Sequence, residues 1–191
     1  YAYDTGGNYW SGGYTDSIGN YQIKGLPPGN YKVLFYPYEL DNYAVEYYGY
    51  PRNFNYRYQW YKDKDTFSEA EVVPVTLETP ATGIDAVMTE DGGIIGGRIT
   101  DGNGSGIGGY VYVMPSMDNP IDWYGWSYTD AAGNYQVRGL PAGSYIVLFT
   151  PSTSTYYRRE FYDNTTDVDL ATRVTVAEGQ TVTGIDAVVE H

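Results

Sequence analysis

The chain contains no cysteine, so neither disulfides nor a thiolate-bound metal can hold it together. Histidine occurs once, as the terminal His191, which rules out assembling a Ser-His-Asp or Cys-His arrangement within one chain. No stretch approaches the roughly 18 consecutive apolar residues that a spanning helix needs, and membrane insertion is not expected. Nothing at Tyr1 reads as a signal peptide. Positive charge is scarce: 11 Lys and Arg stand against 24 Asp and Glu, and all four lysines (Lys24, Lys32, Lys62, Lys64) fall in the first third. The net charge of -13 repels nucleic acid and anionic lipid, so neither is an expected partner. Helix signals are sparse. What the 191 residues do contain is 24 Tyr, 24 Gly and 10 Pro, a composition of short strands joined by turns.

The sequence repeats itself. Tyr14-Thr15-Asp16 through Gly19-Asn20-Tyr21-Gln22-Ile23-Lys24-Gly25-Leu26-Pro27 matches Tyr128-Thr129-Asp130 through Gly133-Asn134-Tyr135-Gln136-Val137-Arg138-Gly139-Leu140-Pro141, an offset of 114 that continues to Phe35 and Phe149. A second block, Thr82-Gly83-Ile84-Asp85-Ala86-Val87, matches Thr183-Gly184-Ile185-Asp186-Ala187-Val188 at an offset of 101. The first copy therefore carries a net 13 extra residues, which we place in the Tyr-rich stretch of about 47–64. A repeat this long suits two domains in series, 1–90 and 91–191, rather than solenoid units.

Each copy reads as a meander of strands. Tyr21-Gln22-Ile23-Lys24 alternates apolar and polar; Pro27-Pro28-Gly29 turns the chain; Tyr31-Lys32-Val33-Leu34-Phe35 follows as the next strand. Asp16 to Gly19 and Asp130 to Gly133 are tight turns with Asp as local acceptor. Only the second copy has an opening strand, Gly97-Arg98-Ile99-Thr100-Asp101, followed by Gly109-Tyr110-Val111-Tyr112-Val113. The first copy starts with Tyr1-Ala2-Tyr3, in the middle of the latter strand. The absent strand is expected to leave an open edge at Tyr1, Ala2 and Tyr3, either because the sequence was cut there or because another subunit supplies the strand.

These blocks, G-R-I-T-D-G-N-G-S-G-I-G-G-Y-V-Y-V, Y-T-D-A-A-G-N-Y-Q-V-R-G-L-P-A-G-S-Y-I-V and V-T-V-A-E-G-Q-T-V-T-G-I-D-A-V-V, resemble the carboxypeptidase regulatory-like domain, which is similar to the B-type repeats of bacterial surface adhesins. The resemblance implies an all-β fold of two tandem transthyretin-like Greek-key β-sandwiches, the first lacking its opening strand, without catalytic residues. Some B-type repeats carry a Lys to Asn or Asp isopeptide staple. None is expected here, since the second copy has no lysine and the first lacks the strand that would bear it.

Enzymatic chemistry is not expected, and no cofactor or metal is implied. The Asp101 to Gly106 loop has the spacing of a calcium loop, but its twelfth position is Tyr112, so it reads as a turn. Two sequons, Asn103-Gly104-Ser105 and Asn164-Thr165-Thr166, are within chance expectation. The aromatics carry the candidate contacts: Trp10, Trp123 and Trp126 before the shared turn, and Trp60 with Tyr56 and Tyr58 in the inserted stretch. Exposed, such rings would stack on sugars or pack against another copy of the chain, and crowded together they would cover the open ends of the sandwiches. The sequence thus points to an extracellular or cell-surface structural or adhesive protein, assembling with other copies of itself into a filament, with glycan binding as the alternative.

Overall fold

The computed structural model describes residues 1–37, 55–115, 125–152 and 157–190. All its regular elements are strands apart from one short 3₁₀ turn at Val168–Leu170, and the chain is all-β. It divides into two compact units, Tyr1–Pro37 with Tyr58–Met88, and Tyr38–Arg57 with Thr89–His191. Among the described residues no helix is long and apolar enough to cross a membrane.

The second unit is a sandwich of two sheets. One sheet has β11 (Glu160–Phe161), β10 (Gly143–Pro151), β7 (Gly109–Met114) and β8 (Gly125–Tyr128) in that order, with β12 (Val174–Val176) also paired to β10. The other is organised around β6 (Gly93–Asp101). This strand pairs antiparallel with β9 (Asn134–Leu140) and parallel with β13 (Thr181–Val182) and β14 (Ala187–Val189). Period-two alternation decides which side chains meet between the layers. Val111, Val113, Val147, Phe149 and Val176 from one sheet and Ile95, Ile99, Val137, Leu140 and Val189 from the other are fully buried. The Tyr135 and Phe149 rings join the layers edge to face at 5.9 Å. Within the same unit Asn55 to Arg57 run beside its entry: Arg57 N–H donates to Thr89 C=O, Gly92 N–H to Asn55 C=O, and Arg57 pairs with Asp91 at 3.3 Å.

The first unit repeats one of these sheets. Its order is β2 (Tyr9–Ser11), β1 (Ala2–Asp4), β3 (Gly29–Phe35), β4 (Gln59–Trp60), with β5 (Val73–Val75) also on β3. Registers superimpose the two copies: Ala2 pairs with Val33 as Val113 does with Val147, and Leu34 pairs with Trp60 as Leu148 does with Phe161. Since Gln59–Trp60 already matches Glu160–Phe161 at the offset of 101, the extra residues end before Gln59, and not at residue 64.

Both units place a small apolar cluster on the outer face of this sheet. In the second unit it is aliphatic: Met114, Ile146, Leu148 and Phe161, with Val168 and Ala171 packed on it. In the first Leu34 and Ala70 stand where Leu148 and Ala171 do, but the other equivalent positions, Tyr3, Lys32, Trp60 and Phe67, are aromatic or basic. Trp60 meets Tyr3 at 5.4 Å and Phe67 at 5.2 Å, while Lys32 lies 4.3 Å over the Phe67 ring and donates to the Phe67 carbonyl at 2.5 Å.

One turn type recurs four times. In Asp4 to Asn8, Asp16 to Asn20, Asp101 to Ser105 and Asp130 to Asn134, the Asp carboxylate accepts backbone N–H bonds from the residues two and four positions on, at 2.8 to 3.0 Å. The fourth residue is a glycine at φ between 82° and 87°, which a side chain would strain. These hydrogen bonds favour the ionised carboxylate and hold all four Asp below the usual range, Asp4 at about 2.

Candidate functional site

The two units differ most where β6 lies. Its three partners have counterparts in the first unit: residues 20–26 for β9, residues 80–81 for β13 and residues 86–88 for β14. None of the three is a strand there. The residues themselves have barely changed; among the described residues no strand runs between them. Tyr21, Ile23, Leu26, Ile84, Ala86 and Met88 are all half-buried, whereas Tyr135, Val137, Leu140, Ile185, Ala187 and Val189 are all buried. Strand pairing is a two-sided interaction, so an alternating segment without a partner has no ladder to join.

The position is nevertheless built. Tyr21 donates its hydroxyl to the Ile84 carbonyl at 2.5 Å, and Tyr135 makes the same bond to Ile185 at 2.6 Å with β6 in place. The two walls of the slot are thus held together by the same bond, whether or not a strand runs between them. Burial, then the Asp85 carboxylate, pushes the Tyr21 hydroxyl up to about 12, so it stays a donor at neutral pH. Tyr21 packs edge to face on Phe35 at 5.7 Å, and Ser11 Oγ donates to the Lys24 carbonyl at 2.8 Å, fixing the first wall to the existing sheet. The Asp16 turn caps one end.

This moves the open edge. The expectation placed it at Tyr1, Ala2 and Tyr3, but β1 is paired on both sides, to β2 and to β3, and Ala2 is fully buried. The reason is topological: β6 pairs in the other sheet of the second unit, so the first-unit segments without a strand partner among the described residues are the counterparts of its neighbours, 20–26, 80–81 and 86–88.

The candidate aromatic contacts separate into four groups. Trp60 and Tyr58, expected at the surface, are only 2% and 5% exposed; they flank Gln59 in β4 and belong to the core. Trp10 and Tyr56 are 48% and 37% exposed. Trp123 lies outside the described residues. Trp126 is half-buried on β8 and forms a face with Tyr110, Tyr112 and Tyr128, whose rings lie 4.9 to 6.1 Å from Tyr110. The alternation in Tyr110-Val111-Tyr112 was the signal for that face. Among the described residues no three His, Asp or Glu side chains converge to hold a metal.

A second difference sits beside the slot. Gln59, buried on β4, donates its amide to the Val87 carbonyl at 3.1 Å. Its counterpart is Glu160, 9% exposed, whose Oε1 is buried without a hydrogen-bond partner among the described residues. Burial, then the Glu190 carboxylate, pushes Glu160 up to about 7.

No family model matches the sequence, and no curated relative matches it. Among solved structures the chain is similar to the Bacillus anthracis TIE protein, at 13% identity and a TM-score of 0.39. The match covers 100% of this chain and 30% of that one, so the chain spans about a third of the length of the protein it resembles.

Proposed function

We propose that the chain is a non-catalytic, extracellular or cell-surface structural protein. Its first unit accepts a β-strand from a second copy, so that copies join into a head-to-tail filament. The observation that supports this is the slot itself: three segments that bind β6 in one unit have no strand partner among the described residues of the other, on walls already set by the Tyr21 to Ile84 bond. Unpaired strand edges beside half-buried apolar side chains are the substrate of strand addition. The resemblance to carboxypeptidase regulatory-like and B-type repeats accords with a stalk or spacer role. Sedimentation velocity tests it: the chain associates as concentration rises, and Ile23→Asp, which puts a charge in the slot, returns it to monomer. A particle that is monomeric at every concentration overturns the assembly reading.

A second reading rests on the half-exposed face of Tyr110, Tyr112, Trp126 and Tyr128, which is suited to stacking against sugar rings. A glycan array with the wild-type chain and Trp126→Ala decides it. Binding lost in the variant supports it, and no binding to any glycan removes it.

A further inference from the structure

Where the segment around β11 passes β14, the two copies build the same seam. Arg57 N–H donates to the Thr89 carbonyl at 3.0 Å in one, and Arg158 N–H donates to the Glu190 carbonyl at 3.4 Å in the other. Trp60 and Phe161 each exchange backbone bonds with the residue four positions on, Lys64 and Thr165, so the turns that follow match as well. Two residues further along the seam, Gln59 donates its amide to the Val87 carbonyl at 3.1 Å. Each of these residues has its counterpart at the offset of 101, so Glu160 stands in the place of Gln59, and Val188 in that of Val87.

The Val188 carbonyl leaves its strand on the side of β11. In an extended strand the N–H and C=O of one residue project from the same edge, and the Val188 N–H is taken by Asn164 Oδ1 at 3.3 Å, in the turn that follows β11. Glu160 is nine-tenths buried, and its Oε1 has no hydrogen-bond partner among the described residues. A carboxylate and a carbonyl both only accept, so a hydrogen bond between them requires a proton on Glu160. We propose that protonated Glu160 donates to the Val188 carbonyl and latches β11 to β14, and that loss of this proton opens the seam. The first unit replaces the latch with a permanent amide.

The titratable groups around Glu160 are few. β10, paired with β11, contributes Tyr145; β14 contributes none and is followed by Glu190; β9 brings Tyr135, whose hydroxyl is given to the Ile185 carbonyl. On β6, Arg98 donates to the Ala132 and Gly104 carbonyls, and Asp101 accepts within its own turn. The flanking chain adds Arg158, Arg159, Tyr162, Asp163 and, ahead of β14, Asp186, while Asp167 and Asp169 belong to the 3₁₀ turn that covers the outer face. Of these, the Glu190 carboxylate acts on Glu160, and it works in the same direction as burial, so the proton is held up to about pH 7. The seam is closed in mild acid and open above neutrality.

Amide hydrogen exchange of the full chain at pH 5 and pH 8, corrected for intrinsic rates, reads the seam bond by bond. Arg158 and Val188 are expected to lose protection about fivefold at the higher pH, roughly the worth of one hydrogen bond, while Arg57 in the equivalent bond is unchanged. Glu160→Gln should keep both protected at either pH. The reciprocal change, Gln59→Glu, should give Arg57 the pH dependence that it lacks, and it tests the latch independently should Glu160→Gln fail to fold. Glu190→Gln should move the loss to lower pH without abolishing it. Equal protection of Arg158 and Val188 at both pH values overturns the proposal. So does a pH-dependent loss that persists in Glu160→Gln, or a seam that opens at pH 5 in that variant while Tyr135 and Val137 stay protected.

Discussion

The two units start from closely similar residues and end with different amounts of structure. Tyr21-Gln22-Ile23 and Tyr135-Gln136-Val137 have the same alternation, the same preceding Asp turn and the same hydroxyl bond, yet only the second is a strand. The difference lies wholly in a partner that is distant in sequence. Strand propensity is thus permissive, and the ladder is made by pairing. The contrast also separates local from non-local determinants within a single chain: the Asp turn forms with or without a neighbouring β6, and the ladder forms only with it.

The comparison can be broken most severely at Gly97. Valine there drives Cβ into the Ile185 carbonyl, which is backbone and cannot yield cheaply. We expect a loss of about 3 kcal/mol or more from the second unit. Hydrogen exchange should show Tyr135–Val137 and Ala187–Val189 becoming as open as their first-unit counterparts. Unchanged protection would mean that β6 is not what orders its neighbours.

A smaller effect is expected at Glu160. A carboxyl whose folded pKa is raised contributes stability in its protonated form. That stability is fully present below its unfolded value, near 4.5, and is lost as pH rises through about 7. Glu160→Gln copies the first unit, where Gln59 donates to a carbonyl. It should raise stability at pH 8 by about 1–2 kcal/mol and flatten the slope between pH 5 and 8, as chemical denaturation across pH would show. A slope that persists in the variant would place its origin elsewhere.

The Asp turns should give the mildest response and the opposite sign. A depressed carboxyl contributes stability above its unfolded pKa and loses it as pH falls through the folded value, down to about 2 for Asp4. Asp130→Ala should cost about 1 kcal/mol at neutral pH and nearly nothing at pH 2. Asp16→Ala should cost less, because its turn leads into no ladder. Thermal melts of the two variants at both pH values compare them directly.

Much of this was legible in the sequence. The turns were, because Asp and Gly act within five residues, and so was the all-β class, because tyrosine, glycine and proline left little else. The place of Trp60 was misjudged because a tyrosine-rich stretch looks like a loop, although the offset of 101 linking it to Phe161 would have identified a shared core strand. The site of the open edge was harder. Strands adjacent in sequence pair in one sheet here, while β6 reaches across to partners on both sides of it in the other. That order follows from packing between layers rather than from any local pattern. The buried pairing of Gln59 with a carbonyl, against Glu160 without one, required knowing that both side chains face inward.

The hydroxyl of Tyr21 has an entropic meaning as well. Its bond to the Ile84 carbonyl joins residues 63 positions apart, closing a long loop through a single side chain. The Phe35 ring against which Tyr21 packs holds that side chain in place, so the closure is anchored to the sheet of the first unit.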